Sequence, residues 1–301
     1  MSEPSPRERR ERLKAAIHNE ELLLLPGVGD PLTARIAEEA GFDALFLSGA
    51  VVANSAFGYP DVGLTTFTEM VERSNAITSA VQVPVFVDAD TGYGNAMNVI
   101  RTTETYGRSN AAGIMLEDQV SPKRCGHFEG KRIIPLEEMM EKIVAFQHAN
   151  QDHGLALIAR TDAIAVEGFD EAIRRGQAYA RAGADLIFVE SPRDDEELRS
   201  IPKLIDGPVL ANMVEGGKTP VTPASELQAM GYAAVVYPST AMRAAVRAMQ
   251  HALATLREHG TSEPLNDVMI PWEERQRLVG LDAYGALEEE IRERARALMK
   301  T

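Results

Sequence analysis

The sequence predicts an α/β protein: a closed (β/α)8 barrel of the TIM type, with extra helices after the eighth strand. Three observations carry this. Eight short apolar runs recur along the chain, with stretches of helical spacing between them. The runs are apolar throughout instead of alternating, as in parallel strands buried on both faces. Their far ends carry polar groups in seven of the eight cases, which is where such a barrel keeps its functional residues.

In chain order the strand-like runs are 22–28, 44–49, 83–89, 112–116, 155–159, 185–189, 208–211 and 233–237. Helical spacing is read over 32–40, 66–81, 136–147, 170–182 and 223–230, and a charged helix over 1–20. Gly41, Gly183 and Gly231 each stand between a helix and the following strand, a place that suits a left-handed residue. The rival architecture is an open doubly wound sheet with a dinucleotide site. It lacks its glycine fingerprint, because Gly27-Val28-Gly29 runs into Asp30-Pro31. No Pro-, Gly- or Ser-rich linker divides the chain, so 1–301 reads as one barrel domain with a C-terminal helical extension over 240–301. Within the extension, 241–259 and 281–299 carry apolar residues on one helical face.

Composition bounds the function. The chain has 301 residues, 45% apolar and 25% charged, with a net charge of −14. That charge argues against nucleic acid as a partner. No apolar stretch is long enough for a membrane span or a signal peptide, and the single cysteine cannot close an internal disulfide. A cytoplasmic location is expected.

The chemistry concentrates after the fourth run, in Glu117-Asp118-Gln119-Val120-Ser121-Pro122-Lys123-Arg124-Cys125-Gly126-His127. Taken alone, a lone thiol in a loop means little. Here it follows two acids and sits among three basic side chains able to lower its pKa or to hold substrate carboxylates. Upstream, Asp88 and Asp90 stand at i and i+2, on the same face of an extended segment. With Glu117 they form an all-oxygen acid cluster, which suits Mg2+ or Mn2+ and not Zn2+.

These motifs resemble the isocitrate lyase / phosphoenolpyruvate mutase superfamily. The likeness runs from about Pro26 to about Thr261, and includes Asp88–Gly94, Ala159–Ala163 and Asn212–Pro220. The resemblance implies a homo-oligomer, a dimer of dimers, that exchanges the helix after strand eight. It also implies Asp88 as the direct metal ligand, with Asp61, Asp90 and Glu117 acting through water. Ser48, Gly49, Ala50, Gly126, Arg160, Glu190 and Asn212 would bind substrate, with Arg243 on a distal carboxylate. The implied reaction is Mg2+-dependent carbon–carbon cleavage of a 2-hydroxy dicarboxylate or tricarboxylate, such as 2-methylisocitrate or 2,3-dimethylmalate. The enolate of a carboxylate is expelled while pyruvate stays on the metal, and Cys125 protonates that enolate while Lys123, Arg124 and His127 stabilise its charge. The cysteine favours the lyase branch. Phe46, where methylisocitrate lyases carry a Tyr, and Trp272, where they carry an Arg, put a smaller dicarboxylate such as a dialkylmalate or oxaloacetate on at least equal footing with a tricarboxylate. Phosphonomutase and oxaloacetate-cleaving activities are the alternatives within the superfamily, and a non-catalytic binding barrel is the alternative outside it.

Overall fold

A computed structural model describes residues 4–126 and 128–299. Eight strands close a parallel barrel in sequence order: β1 (Leu23–Val28), β2 (Leu45–Leu47), β3 (Val85–Asp88), β4 (Gly113–Glu117), β5 (Ala156–Thr161), β6 (Leu186–Val189), β7 (Val209–Asn212) and β8 (Ala234–Tyr237), with β8 pairing back onto β1. The helices are α1 (Pro6–Ile17), α2 (Pro31–Glu39), α3 (Gly49–Phe57), α4 (Phe67–Thr78), α5 (Ala96–Gly107), α6 (Leu136–Ala149), α7 (Phe169–Arg181), α8 (Asp195–Leu204), α9 (Ala224–Met230), α10 (Thr240–His259), α11 (Trp272–Leu278) and α12 (Leu281–Leu298). Every expected strand forms. Helices α3, α5 and α8 were not singled out by spacing. The first is mostly apolar, the second is interrupted by threonines, and the third contains Pro202. Gly41, Gly183 and Gly231 follow α2, α7 and α9 at φ of 88°, 89° and 101°.

Two apolar layers form. The outer one packs strands against helices, with Ile114, Leu116, Leu157, Ile187 and Val235 all fully buried. The inner one fills the barrel with Leu25, Phe46, Phe86, Met115, Ile158, Phe188, Leu210 and Val236. Leu13 and Ile17 of α1 join that inner layer. Arg10, on the same helix, is 6% exposed and donates to the carbonyls of Gly107, Ser109, Ala111 and His153 at the entries to β4 and β5. The N-terminal helix is therefore a plug at the strand N-termini.

The chain divides into two compact units, Met1–Arg243 and Ala244–Thr301. The second holds most of α10 together with α11 and α12, and among its described residues only Thr255 and Leu265 are buried. Among the described residues, no helix is long and apolar enough to cross a membrane.

Candidate active site

Strand parity builds the site. Residues that alternate along a strand share a face, so the inward series that packs the barrel continues past its floor. Phe46 is followed by Ser48, Phe86 by Asp88, Met115 by Glu117, Ile158 by Arg160, Phe188 by Glu190 and Leu210 by Asn212. Pairing sets them side by side: Glu117 is in register with Arg160, and Arg160 with Phe188. The result is a cavity of about 110 Å3 at the strand C-termini, with the apolar side chains of Phe46, Met115, Phe188 and Val236 beneath it. Ser48, Ala50, Asp61, Asp88, Lys123, Arg124, Cys125, Gly126, Arg160, Glu190 and Asn212 line it.

The acid side is tightly held. Asp88 accepts the N–H of Gly49 at 3.1 Å and that of Asp90 at 3.1 Å. A Cβ on Gly49 would lie 2.8 Å from the Asp88 carboxylate, so this close approach needs glycine. Asp90 turns there with φ at 46°. Burial, then the neighbouring Asp90, raises the Asp88 pKa to about 6. Burial also pushes Glu117 well above the usual carboxylate range, against the pull of Arg160 and Lys123. Glu117 Oε1 is buried and accepts no hydrogen bond among the described residues, and Asp90 Oδ1 meets the Lys123 ammonium only as an ion pair. The Lys123 ammonium lies 2.5 Å from Asp61 and 3.0 Å from Asp90. Its burial works to lower its pKa, but Asp90 and Asp61 outweigh that and hold it charged. Among the described residues, no three His, Cys, Asp or Glu side chains converge as a ready ligand cage.

The opposite wall centres on Arg160. Its Nε and Nη2 reach Asp162 at 2.9 and 3.1 Å, and the guanidinium stands 3.3 Å from Glu190 and 3.4 Å from Glu117. The ion pair with Asp162 is thus present alongside the cavity-facing position. Asn212 donates to Glu190 at 3.2 Å, and Ser191 to the other oxygen of Glu190 at 2.6 Å.

The cysteine arrives on the segment after β4. Gln119 clamps it by bonding both the N–H and the C=O of Arg124, and the N–H of Cys125 donates to Asp61 O at 3.1 Å. A bridge between Gln119 and Ile133 closes the base of this excursion.

Most of the expected site residues meet here, with three qualifications. Ser48 lines the cavity and also caps α3 through the Val51 N–H. Arg243 does not reach the cavity: its side chain is half exposed and bonded to Glu215, because the strand it follows has already ended in the helix start at Thr240. His127 lies outside the described residues. Sequence reasoning missed Lys131, which is buried against Asp162, and Asp118, which accepts from Arg175, Tyr179 and the Asp162 N–H. The inward parity of Asp162 was legible, whereas the reach of Lys131 was not.

With this arrangement in view, the comparisons are specific. The family model described as phosphoenolpyruvate phosphomutase matches residues 13–257. The chain belongs to this family, the phosphoenolpyruvate mutase/isocitrate lyase superfamily, and is an enzyme of the lyase type. It is 43% identical to the 2,3-dimethylmalate lyase of Eubacterium barkeri, over 92% of this chain and 96% of that one. It is 41% identical to the 2-methylisocitrate lyase of Aeropyrum pernix, over 95% and 92%. Its fold overlays a structure of oxaloacetate acetylhydrolase in complex with 3,3-difluorooxalacetate, with a TM-score of 0.89, 32% identity, and coverage of 94% of this chain and 96% of that one.

Proposed function

We propose that this cavity cleaves the carbon–carbon bond of a 2-hydroxy dicarboxylate, 2-alkyl substituted as in 2,3-dimethylmalate, to an α-keto acid and a carboxylate. The observation that carries the reading is that Asp88 and Cys125 line one small cavity with Arg160 between the same walls. The names of the curated relatives support the same class.

The donor set fits a hard divalent cation, Mg2+ or Mn2+: it is all oxygen, it is buried, and Glu117 Oε1 accepts no hydrogen bond among the described residues. Asp88 would hold the ion directly, and Asp61, Asp90 and Glu117 through water. Mg2+ takes one or two carboxylates readily and keeps several waters, which suits a site without a ready protein cage. When bound, such an ion lowers the pKa of a coordinated hydroxyl and offsets the charge of the adjacent carboxylate.

The chain's own groups supply the rest. The first turn of α3, at Gly49 and Ala50, and the hydroxyl of Ser48 orient the carboxylate end of the substrate. Arg160 grips an oxygen of that end, and its planar fork is held in place by Asp162 and Glu190. Glu190, Asn212 and Gly126 form the remaining wall. Cys125 delivers a proton to the enolate carbon when the bond breaks. Lys123, beside the acids, and Arg124, lining the same cavity, offset the growing negative charge, and His127, two residues after the cysteine in sequence, would add to them. The segment carrying Cys125 excludes water from the carbanion.

Phe46 leaves no hydroxyl at the floor, and Arg243 is turned away onto Glu215 and so is not placed to hold a third carboxylate. A dicarboxylate is favoured over a tricarboxylate on that ground. The second unit supports assembly. With only Thr255 and Leu265 buried, and Met249, Leu253, Trp272, Leu287 and Ile291 exposed, its helices need a cover, which a second copy of the chain would supply.

The test is pyruvate release from 2,3-dimethylmalate, 2-methylisocitrate and oxaloacetate, with Mg2+ or with chelator, repeated on Cys125→Ser. Turnover of dimethylmalate that is lost in the chelator and in the serine variant is expected. Full pyruvate release from oxaloacetate in Cys125→Ser would point instead to decarboxylation, and oxalate and acetate in place of pyruvate would point to hydrolysis.

A further inference from the structure

Lys131 is absent from every role assigned so far, yet its side chain is 1% exposed. A lysine ammonium so placed must be paired, since burying an isolated charge is costly. Its partners are two: Asp162 Oδ1 at 2.7 Å, and the backbone carbonyl of Gly126, the residue after the cysteine, through a short hydrogen bond. Asp162 is itself divided. Both its oxygens accept from Arg160, one of them shared with Lys131. Although burial alone would raise its pKa, Arg160 and Lys131 hold it below the ordinary value, so the carboxylate is charged and serves both cations.

The fit around Gly126 is close. A Cβ there would stand 2.5 Å from the Glu190 carboxyl carbon and 2.6 Å from an Arg160 nitrogen. The Ser191 hydroxyl reaches the same Gly126 carbonyl at 3.3 Å. Withdrawing Cys125 from the cavity thus requires breaking the Lys131 bond at Gly126 or pulling Asp162 off Arg160. On the outside of the same excursion, Glu129 pairs with Lys218 at 2.5 Å, but that carboxylate is 89% exposed, so the pair is a weak restraint.

We propose that Lys131, through Asp162, is a positioning residue that registers the Gly126 backbone, and with it the Cys125 thiol, against Arg160. This deepens the lyase reading and rests on it for the importance of the thiol. The mechanical claim stands without it. Lys131 neither touches substrate nor moves a proton. It sets the distance between the group that grips the carboxylate and the group that gives the proton, a distance to which such steps are steeply sensitive.

The chain's single cysteine makes the test direct. In the full-length protein, Lys131→Met is compared with wild type by three readouts: alkylation of Cys125 by iodoacetamide, trypsin cleavage after Arg124, and kcat against KM. Cleavage and labelling follow the population of the opened segment, and both are expected to rise about tenfold. The expected kinetic result is a kcat loss larger than the KM change, with Lys131→Arg recovering part of it. Labelling and cleavage within about twofold of wild type would overturn the proposal whatever the activity does. If Lys131→Met does not fold, Lys131→Gln, which keeps a donor for Gly126 but drops the charge, is judged by the same criteria. Faster labelling combined with full turnover in Cys125→Ser would uphold the positioning role and remove the lyase reading.

Discussion

The two ends of this barrel both bury charge, and they do it in opposite ways. At the strand N-termini, Arg10 donates to four backbone carbonyls, and among the described residues no carboxylate pairs with it. Burial lowers its pKa, but every acceptor is fixed by the fold. At the strand C-termini, three cations share a larger set of carboxylates, Glu117 Oε1 accepts no hydrogen bond among the described residues, and Asp88 and Glu117 are held partly toward their protonated forms. At the first end every side-chain nitrogen of Arg10 has a backbone acceptor. The second keeps a buried carboxylate oxygen without a hydrogen bond among the described residues, where the proposed cation and substrate would bind. That asymmetry separates a plug from a catalytic mouth on the same scaffold, and it locates function without reference to any relative.

The sharpest way to break the comparison is Asp88→Asn. Metal-dependent turnover is expected to vanish, while the metal-free protein melts no lower than wild type at pH 7. The sign follows from the shift. A folded pKa raised from 3.8 to about 6 means the fold binds the proton more tightly, so metal-free wild type loses stability as pH rises through that interval and the amide does not. A lower melting temperature for the amide would show that the mouth is already complete. Next in size is Cys125→Ser, expected to cost about 10^2–10^4 in kcat with metal affinity unchanged by calorimetry. At the other end, Arg10→Met should leave the kcat of folded enzyme intact and cost about 3 kcal/mol in urea unfolding, because four carbonyls lose their donor. A drop in kcat at full folding would contradict its role as a plug. A smaller effect sharpens the upper end: metal affinity should fall about tenfold per pH unit below about pH 6, as protons compete at Asp88, and stay flat above it. The smallest is Lys218→Ala, which removes an exposed pair with Glu129 and should shift stability by less than about 1 kcal/mol.

The barrel was legible because its strands are buried on both faces and read as apolar runs, and because three of its helices end in a glycine that must take a positive φ. Helices α3, α5, α8 and α11 were less so: α3 is mostly apolar, α5 is interrupted by threonines, α8 contains Pro202 and α11 is short. Much of the site was legible for the same reason as the strands. Asp88, Glu117, Arg160, Glu190 and Asn212 each continue the inward series of a strand whose apolar part had already been found. Arg243 was placed by resemblance, and the fold instead bonds it to Glu215. Lys131 could not be found that way, because it sits on an irregular excursion where no period of two or 3.6 tells which way a side chain points.

The order of residues alone determined the architecture, the acid pair at Asp88 and Asp90, and the company kept by Cys125. These are local matters of period, spacing and composition, written in short windows. Tertiary structure alone decided which carboxylates remain short of a partner, that Lys123 lies between Asp61 and Asp90, and that Lys131 and Arg160 share Asp162. Those contacts join residues from different strands and loops, and a charge far along the chain becomes a neighbour only when the sheet closes on itself.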